Sequence, residues 1–298
     1  MCSVFGISRQ GFYKQLARKE KVSTDRKQII RMVLQQRKIM PRLGTLKLYY
    51  ILKPRWIETG TKCGRDKLFG LLRDERMLVK KKKNFTKTTN SMHRFRKHPN
   101  LIENMTIDRP EQVWVSDITY VRIKGGFLYL SLVTDAFSKQ IMGYELADNM
   151  KVESSARALK RALNNRLYPN RTLIHHSDRG LQYCAPAYTK MLDDNQIDIS
   201  MTSKYDPYEN AIAERVNGIL KSEFDVGEVF INQHQAKRVI KESIQIYNQL
   251  RPHLTCHYRT PKQAHEHPNF KPTKWTNKFS KHKISTVKNN FVSLKQIN

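Results

Sequence analysis

The stretch QVWVSDITYVRIKGGFLYLSLVT, at residues 112–134, decides the fold. Two runs rich in β-branched and aromatic residues flank Gly125-Gly126, a pair that is typical of a two-residue hairpin turn. The second run is almost continuously apolar, which is typical of a strand covered on both faces. Asp117 breaks the pattern, because it lies in the middle of the first predicted strand, where a carboxylate is disfavoured. The stretch therefore predicts a buried hairpin that carries one unexplained carboxylate.

The elements that follow the hairpin have the order of an α/β fold. A third strand is predicted at KQIMGYEL, and a helix at about 151–165 leads to a fourth strand, TLIHH. A helix near 185–194, a short strand at 197–200 and a long helix from residue 207 complete the pattern. Three antiparallel strands followed by αβαβα units predict a layered α/β sandwich with a mixed sheet. In this arrangement the first and fourth strands can pair side by side.

The net charge of +29 is unevenly distributed along the 298 residues. Residues 1–100 contain 27 Lys and Arg against 6 Asp and Glu, residues 101–260 contain 20 against 19, and residues 261–298 contain 8 against 1. DNA or RNA is the natural partner of such basic ends, since each phosphate contact releases counterions and adds affinity. Membrane-surface and ribosomal proteins can be equally basic.

The basic first hundred residues predict a small helical region. Ser8 is the predicted cap of a first helix, Gly44-Thr45 opens a later one, and Pro54 is predicted to end it. The predicted helices lie at 9–18, at about 25–38, at 45–53 and near 65–75. The stretch VFGISRQGFYKQL resembles the turn and second helix of a helix-turn-helix, a motif that presents one helix to the major groove. A generic helical subdomain with a solvated basic surface is the alternative.

Four parts of the chain follow from these patterns. They are a basic, helix-turn-helix-like DNA-binding region at 1–80, a basic linker at 81–110, an α/β core at 111–265 and a basic tail at 266–298. The run Lys80–Lys83 opens the linker and is interpreted either as a solvated surface or as an arm that follows the DNA backbone.

Several other classes of protein are disfavoured. No apolar run approaches the ~18 residues of a membrane span, and the N-terminus lacks the pattern of a signal peptide. Cys2, Cys63, Cys184 and Cys256 are far apart and form no CxxC pair. Their spacing disfavours a disulfide framework and a cysteine zinc site, and it predicts a reducing cytoplasm.

Two further carboxylates, Asp178 and Glu214, are candidates for a shared site with Asp117. Asp178 ends the fourth strand, just before Gly180, where it either forms a turn or joins Asp117 across paired strands. Glu214 lies on the long helix, opposite the apolar stripe, where a lone Glu ordinarily faces solvent. Glu209 is interpreted as a capping residue of that helix.

Neighbouring carboxylates repel each other, by about 4 kcal/mol per pair at ~4 Å and an effective dielectric near 20. Protons or hard cations must neutralise them, and ligation by oxygen alone suits Mg²⁺ or Mn²⁺. Two such ions support phosphodiester chemistry. Zinc bound by His175, His176 and Asp178 is the alternative, although adjacent strand residues point to opposite faces.

The chain resembles the second-frame (OrfB-type) transposases of the IS-three family of bacterial insertion sequences, whose core resembles retroviral integrase. The matching stretches cover essentially residues 1–265 and are SRQGFYK, RLGTLKLYYIL, VWVSDITYV, LYLSLVTDAFSKQIMGYEL, IHHSDRGLQY, NAIAERVNGILKSE and YNQLRPH. The 35 residues between Asp178 and Glu214 equal the spacing of the family. SKYDPYENA, however, replaces the usual glycine-rich approach to the last helix.

The resemblance implies a ribonuclease-H-like integrase core, a five-stranded mixed sheet with helices on both faces. It implies Asp117, Asp178 and Glu214 as catalytic residues and as ligands of Mg²⁺ or Mn²⁺, with two ions per site. The implied activity is that of a DDE transposase, which cleaves the element's ends and joins the freed 3′-OH to a new phosphodiester. A nuclease or resolvase without strand transfer and a non-catalytic DNA-binding regulator are the alternatives.

The implied partners are the terminal inverted repeats of the element, the target DNA, further copies of the chain on DNA and an upstream first-frame product. The implied location is the bacterial cytoplasm, at the nucleoid. Arg251 is predicted to fork onto a phosphate, with a helix-terminal bond to a carbonyl as the alternative. The full set of predicted DNA contacts is Asn210, Asn217, Lys221, Arg251, His253, Lys80, Lys81, Lys82 and Lys83.

Overall fold

The structure is a computed structural model that describes residues 6, 8–80, 95–103, 105–203 and 210–272. In the described part of the first 80 residues, helix α1 spans Arg9–Ile39, α2 spans Thr45–Glu58 and α3 spans Arg65–Asp74. These three helices form the head of the molecule. The helix-turn-helix prediction at residues 4–16 falls partly outside the described residues, and its described part is the start of α1.

Helix α1 begins as predicted but does not break where expected. Ser8 caps it, because the Ser8 side chain accepts a hydrogen bond from Gly11 N at 3.0 Å. The prediction of two helices at 9–18 and 25–38 is wrong. The intervening residues contain no Gly or Pro, and Thr24 Oγ1 donates to Glu20 O at 3.0 Å, which satisfies this hydroxyl inside the helix.

Helix α2 continues through Pro54, so the prediction that Pro54 ends it is wrong. A proline in a helix interior costs about 3 kcal/mol, because it removes a hydrogen bond and crowds the preceding turn. Tertiary packing offsets this cost. Leu52 and Trp56, on either side of Pro54, are both buried in the apolar core of the head.

The described core contains one mixed sheet. Its strands are β1 at Val113–Ile123, β2 at Gly126–Asp135, β3 at Ile141–Ala147, β4 at Leu173–Ser177 and β5 at Ile197–Met201. The order is β3-β2-β1-β4-β5, with antiparallel pairs among β1–β3 and parallel pairs from β1 to β4 and from β4 to β5. The predicted pairing of the first and fourth strands is therefore confirmed. The hairpin turn lies one residue earlier than predicted, at Lys124-Gly125, where Gly125 has a φ of +84°.

Helices cover both faces of the sheet. On one face lie α4 at Val152–Asn164, α5 at Leu181–Cys184 and α6 at Pro186–Asp194; on the other lie α7 at Ala211–Glu223 and α8 at Gln233–Leu250. Helix α4 approaches β3 so closely that a Cβ on Gly143 would lie 2.2 Å from Ala158 O, so only glycine fits there. This architecture is the predicted ribonuclease-H-like sheet with helices on both faces, and the predicted fold class is confirmed.

Part of the predicted linker packs against the sheet. Pro99 O accepts a hydrogen bond from Met201 N at 3.1 Å, and Leu101 N donates to Ser200 Oγ at 2.9 Å. Residues 99–101 thus run along β5, a strand that would otherwise expose its edge. The division into parts at 80, 110 and 265 stays a prediction. No helix in the described ranges is both long and apolar enough to cross a membrane.

The head and the core share apolar packing. Leu48 and Trp56 of α2 belong to the same buried cluster as Leu128 of β2 and Ile240 of α8. A chain that lacks residues 1–100 would therefore expose apolar surface. Point substitutions are the better test of how much the head contributes to DNA binding.

A buried ionic network holds helix α9, at Pro261–Glu266, against the sheet. His265 Nε2 lies 3.2 Å from Glu111 Oε1, and His265 Nδ1 lies 3.0 Å from Ser138 Oγ and 3.7 Å from Asp135 Oδ1. Both carboxylates and the imidazole are fully buried. Burial alone would lower the pKa of His265, but hydrogen bonds and charges from Asp135 and Glu111 outweigh it and raise the pKa to about 9. The imidazole is therefore charged at neutral pH.

The raised pKa of His265 predicts a loss of stability at alkaline pH. Protonated His265 stabilises the folded chain. This stabilisation is fully present below pH ~6.5, where the histidine of the unfolded chain is also protonated, and it is lost as the pH rises through about 9. The total is on the order of 3 kcal/mol, so the melting temperature should fall between pH 7.5 and pH 10. His265→Gln should melt lower at pH 7 and show a flatter profile, whereas His234→Gln, at an exposed position, should follow the wild type. Parallel profiles for the wild type and His265→Gln would contradict this assignment.

Candidate active site beside strands β1 and β4

Two of the predicted carboxylates meet because of the register between β1 and β4. Ser116 pairs with Ser177 in the parallel ladder, so Asp117 and Asp178 occupy the next positions of the two chains. Paired residues point to the same face of a sheet. For Asp117 this is the face that α7 covers, because Asn217 of α7 donates from Nδ2 to Asp117 Oδ2 at 2.7 Å.

Helix α7 lies against β1 through two asparagines. Besides the bond from Asn217 to Asp117, Asn210 Nδ2 donates to Ser116 O at 3.1 Å. Glu214 lies one turn before Asn217 and is exposed, and Lys221 lies one turn after it and is half-buried. The helix thus carries Glu214 into the neighbourhood of Asp117 and Asp178, whose charges act on one another.

The charges of the acids act on one another's pKa. Burial, followed by the charges of Asp178 and Glu214, raises the pKa of Asp117 to about 7, against the opposing hydrogen bonds from Asn217 and Ile118 N. Partial burial and then the charge of Asp178 raise the pKa of Glu214. Burial lowers the pKa of Lys221, although the charge of Asp117 acts in the opposite direction. The three acids therefore influence one another.

Asp178 also has the local role that its sequence context suggests. Its Oδ1 accepts a hydrogen bond from Gly180 N at 3.0 Å, and a Cβ on Gly180 would lie only 3.0 Å from that oxygen. The turn and the pairing with Asp117 are therefore compatible interpretations of the same residue.

The zinc alternative is contradicted by the positions of the two histidines. His175 Nε2 lies 2.7 Å from Ser116 Oγ and 3.0 Å from Tyr188 OH, whereas His176 Nδ1 lies 2.9 Å from Ser200 Oγ. The two rings lie on opposite faces of β4, as alternation along a strand requires. Burial lowers the pKa of His175 to about 3, so its ring is neutral and structural.

The carboxylates do not form a ready-made metal site. Within the described ranges, which include Asp117, Asp178 and Glu214, no three His, Cys, Asp or Glu side chains converge closely enough to bind one ion. The donors nevertheless suit a hydrated hard cation. One buried oxygen without a hydrogen-bond partner among the described residues is Asn217 Oδ1, on the side chain whose Nδ2 binds Asp117.

Arg251 and His253 lie inside the protein, which conflicts with the prediction that they contact DNA. Arg251 is 1% exposed and binds Glu223 with two hydrogen bonds, from Nε to Oε2 and from Nη2 to Oε1, each of 2.8 Å. His253 is buried, and its Nε2 lies 2.8 Å from Arg251 Nη1. The alternative prediction, that Arg251 ends a helix and binds a carbonyl, is nearer to the structure. Arg251 directly follows α8, but its partner is the carboxylate of Glu223.

The other predicted DNA contacts divide into three groups. Asn210 and Asn217 are buried and hold α7 against β1, so they too are poorly placed to reach DNA. Lys80 is exposed, and Lys221 is half-buried beside the acids. Lys81, Lys82 and Lys83 lie outside the described residues.

Glu223 and Glu209 are other acids near α7 that would be considered if Glu214 were not the third catalytic acid. Glu223 is the last residue of α7 and is engaged by Arg251. Glu209 and its predicted capping role lie outside the described residues. The sequence did not predict that Asn217 orients Asp117. The helical spacing of the residues indicated only that Asn217 and Glu214 lie on the same side of a helix.

Comparisons with known proteins identify the family of the chain. Two family models, each described as an integrase core domain, match residues 107–207 and 195–261. A protein of Shigella sonnei, "Insertion element IS600 uncharacterized 31 kDa protein", is 37% identical over 257 residues, which cover 85% of this chain and 93% of the relative. "Transposase InsF for insertion sequence IS3A" of Escherichia coli is 30% identical over 269 residues, which cover 88% and 92%.

Solved structures of retroviral integrases are also similar. The catalytic core of HTLV-2 integrase in complex with magnesium has 18% identity and a TM-score of 0.42, and the likeness covers 53% of this chain and 97% of that one. A chain of the simian T-cell lymphotropic virus intasome in complex with the PP2A regulatory subunit B56 gamma has 17% identity and a TM-score of 0.47, and the likeness covers 82% of this chain and 78% of that one. On the strength of the curated relatives, the chain belongs to the IS3 family of insertion-sequence transposases.

Proposed function

We propose that this chain is a DNA transposase that binds the ends of its insertion sequence, cleaves them and joins the freed strands, with Asp117, Asp178 and Glu214 as its catalytic acids. One observation carries the proposal most directly. Asp117, inside β1, and Asp178, just after the end of β4, follow the same paired position of the parallel ladder, and Asn217 of the helix that bears the third acid donates a hydrogen bond to Asp117.

Asp117, Asp178 and Glu214 would hold Mg²⁺ or Mn²⁺, two ions per site. When bound, such ions lower the pKa of an attacking oxygen and stabilise charge on the leaving oxygen of a phosphodiester. The oxygen-only donors fit this requirement. The raised pKa of Asp117 also fits a metal site. Its carboxylate resists ionisation in the folded chain, and a bound cation would supply the positive charge that favours the ionised form.

The chain's own residues prepare the reaction by orientation. Asn217 fixes Asp117 Oδ2, and Gly180 N fixes Asp178 Oδ1. A water oxygen attacks the phosphorus at the element's end, the P–O3′ bond breaks, and the 3′ oxygen gains a proton. The oxygen of this 3′-OH then forms a bond to the phosphorus of a second phosphodiester and loses its proton, while the P–O3′ bond of that phosphodiester breaks and the departing 3′ oxygen gains a proton. An enzyme that only hydrolyses would stop after the first step.

The basic head, the arm Lys80–Lys83 and Lys221 are the proposed DNA contacts that remain, and residues 1–100 contain 27 Lys and Arg against 6 Asp and Glu. The proposed substrates are the terminal inverted repeats and the target DNA, bound by more than one copy of the chain. A fused or associated first-frame product stays a prediction, as does action at the nucleoid in the bacterial cytoplasm. A non-catalytic regulator would have no need of the three acids.

Removal of divalent metal tests the proposed chemistry. With a duplex that carries the terminal repeat of the element, the full chain should cleave in Mg²⁺ or Mn²⁺, and EDTA should lower the rate by about 10³-fold or more. Ca²⁺ should support binding without turnover, so a gel shift in Ca²⁺ controls for loss of DNA. Full activity in EDTA would contradict the two-metal mechanism.

A further inference from the structure

Two cations from different parts of the chain form ion pairs with Glu223, the last residue of helix α7. Arg251 forms a two-pronged ion pair with Glu223, and Lys47 Nζ lies 2.9 Å from Glu223 Oε1. The side chains of Glu223 and Lys47 are 14% and 19% exposed, so solvent screens these charges little. Burial acts to raise the pKa of Glu223, but Arg251 and Lys47 outweigh it and the pKa lies below its ordinary value.

Lys47 comes from the head, whereas Arg251 and Glu223 belong to the core. Lys47 lies in the first turn of α2, which opens at Gly44-Thr45. A second cation of the head, Arg42, lies 3.3 Å from Asp225 Oδ1 and 3.7 Å from Glu228 Oε1, just beyond the same end of α7. Two cations of the head therefore meet three acids at and after the end of one helix.

Helix α7 carries Glu214, the third proposed catalytic acid, near its other end. Glu214 lies in the first turn of α7 and Glu223 is its last residue, about 14 Å apart at 1.5 Å per residue. A helix of this length is stiff, so a rotation or shift at Glu223 also moves Glu214 and Asn217. A displacement of ~1 Å at a reacting group can cost about 10²-fold in rate.

We infer that Lys47 is a positioning residue for catalysis: the head fixes helix α7 through the ion pair between Lys47 and Glu223, and so sets the placement of Glu214. The head then serves the catalytic step as well as DNA binding. The inference rests on the proposed function, because it presupposes that Glu214 takes part in cleavage.

The test compares binding with chemistry in the full chain, with a duplex of the element's terminal repeat as the probe. Lys47→Met should leave the Kd from gel shifts in Ca²⁺ within about 3-fold of the wild type. Its cleavage rate at saturating protein should fall by about 10-fold to 10²-fold in Mg²⁺. Lys47→Arg keeps a cation at Glu223 and should recover most of the rate, a rescue that a neutral packing role would not give. Lys160→Met, at an exposed position of α4 outside the head, should change neither quantity.

Two outcomes would overturn the inference. One is a wild-type cleavage rate in Lys47→Met, and the other is a loss of affinity as large as the loss of rate, which would make Lys47 a DNA contact. If Lys47→Met does not fold, Arg42→Met gives the answer, since the pairs of Arg42 are more exposed. A folded Arg42→Met that cleaves at least 3-fold more slowly at unchanged Kd supports the inference, and an unchanged rate overturns it. A wild type that fails to cleave in either metal contradicts the proposed function instead.

Discussion

Asp117→Asn is expected to abolish DNA cleavage, by about 10³-fold or more, while DNA binding persists. The substitution keeps the size of the side chain but removes a carboxylate that faces α7 beside Asp178. The amide oxygen of the new Asn can still accept from Ile118 N, and its NH2 can donate to Asn217 Oδ1 once the Asn217 amide flips, so the strand should remain in place. The same change relieves repulsion, because burial and Asp178 disfavour the charged form of Asp117. At pH 8 in EDTA, Asp117→Asn should therefore melt at the wild-type temperature or above it.

Thermal melting with and without Mg²⁺ gives a readout that does not depend on activity. A ligand that binds the folded chain raises its stability by mass action, so Mg²⁺ should raise the melting temperature of the wild type more than that of Asp117→Asn. Asp198→Asn is the matched control, since Asp198 is an exposed aspartate on β5. Cleavage by Asp117→Asn at near the wild-type rate would exclude Asp117 from the chemistry.

Arg251→Met should produce the largest loss of stability. The substitution leaves the partly buried Glu223 with Lys47 as its remaining cation, and it removes the group that lies against His253 Nε2. Breaking a buried ion pair by removing one partner costs about 3–5 kcal/mol. For a domain of this size, that cost lowers the melting temperature by roughly 10 °C.

Arg238→Met is the control for this substitution, because Arg238 lies exposed on α8. It should change the free energy of unfolding by less than about 0.5 kcal/mol. An unchanged melting temperature in Arg251→Met, together with slower cleavage and weaker DNA binding, would contradict the structural role. It would restore Arg251 as a contact to phosphate.

The central parts of the fold could be predicted from the sequence because their signals are local and repeated. Alternating and continuous apolar runs predicted the strands, and a glycine pair predicted the hairpin to within one residue. Chain order then limited the topology enough to place Asp117 beside Asp178. The third acid depended on the family resemblance, since a polar stripe on a helix does not show what faces it.

Other features depended on tertiary contacts that the sequence pattern does not contain. Pro54 remains helical because Leu52 and Trp56 pack in the apolar core on either side of it. Arg251 was assigned to DNA because its guanidinium suits a phosphate, but a carboxylate 28 residues away binds it with the same geometry. The sequence does not show whether an arginine is buried or exposed, and only the fold shows which partner it binds.

A single-turnover assay on the element's terminal repeat tests the central claim most directly. The wild type and Glu214→Gln are incubated in Mg²⁺ with a duplex labelled at the 5′ end of the cleaved strand and with a target duplex, and the products are separated on a denaturing gel. The account predicts a cut strand followed by a longer joined strand for the wild type, and neither for Glu214→Gln at equal DNA binding. Glu214→Gln that cuts and joins at near the wild-type rate, or a wild type that cuts without ever joining, would contradict it.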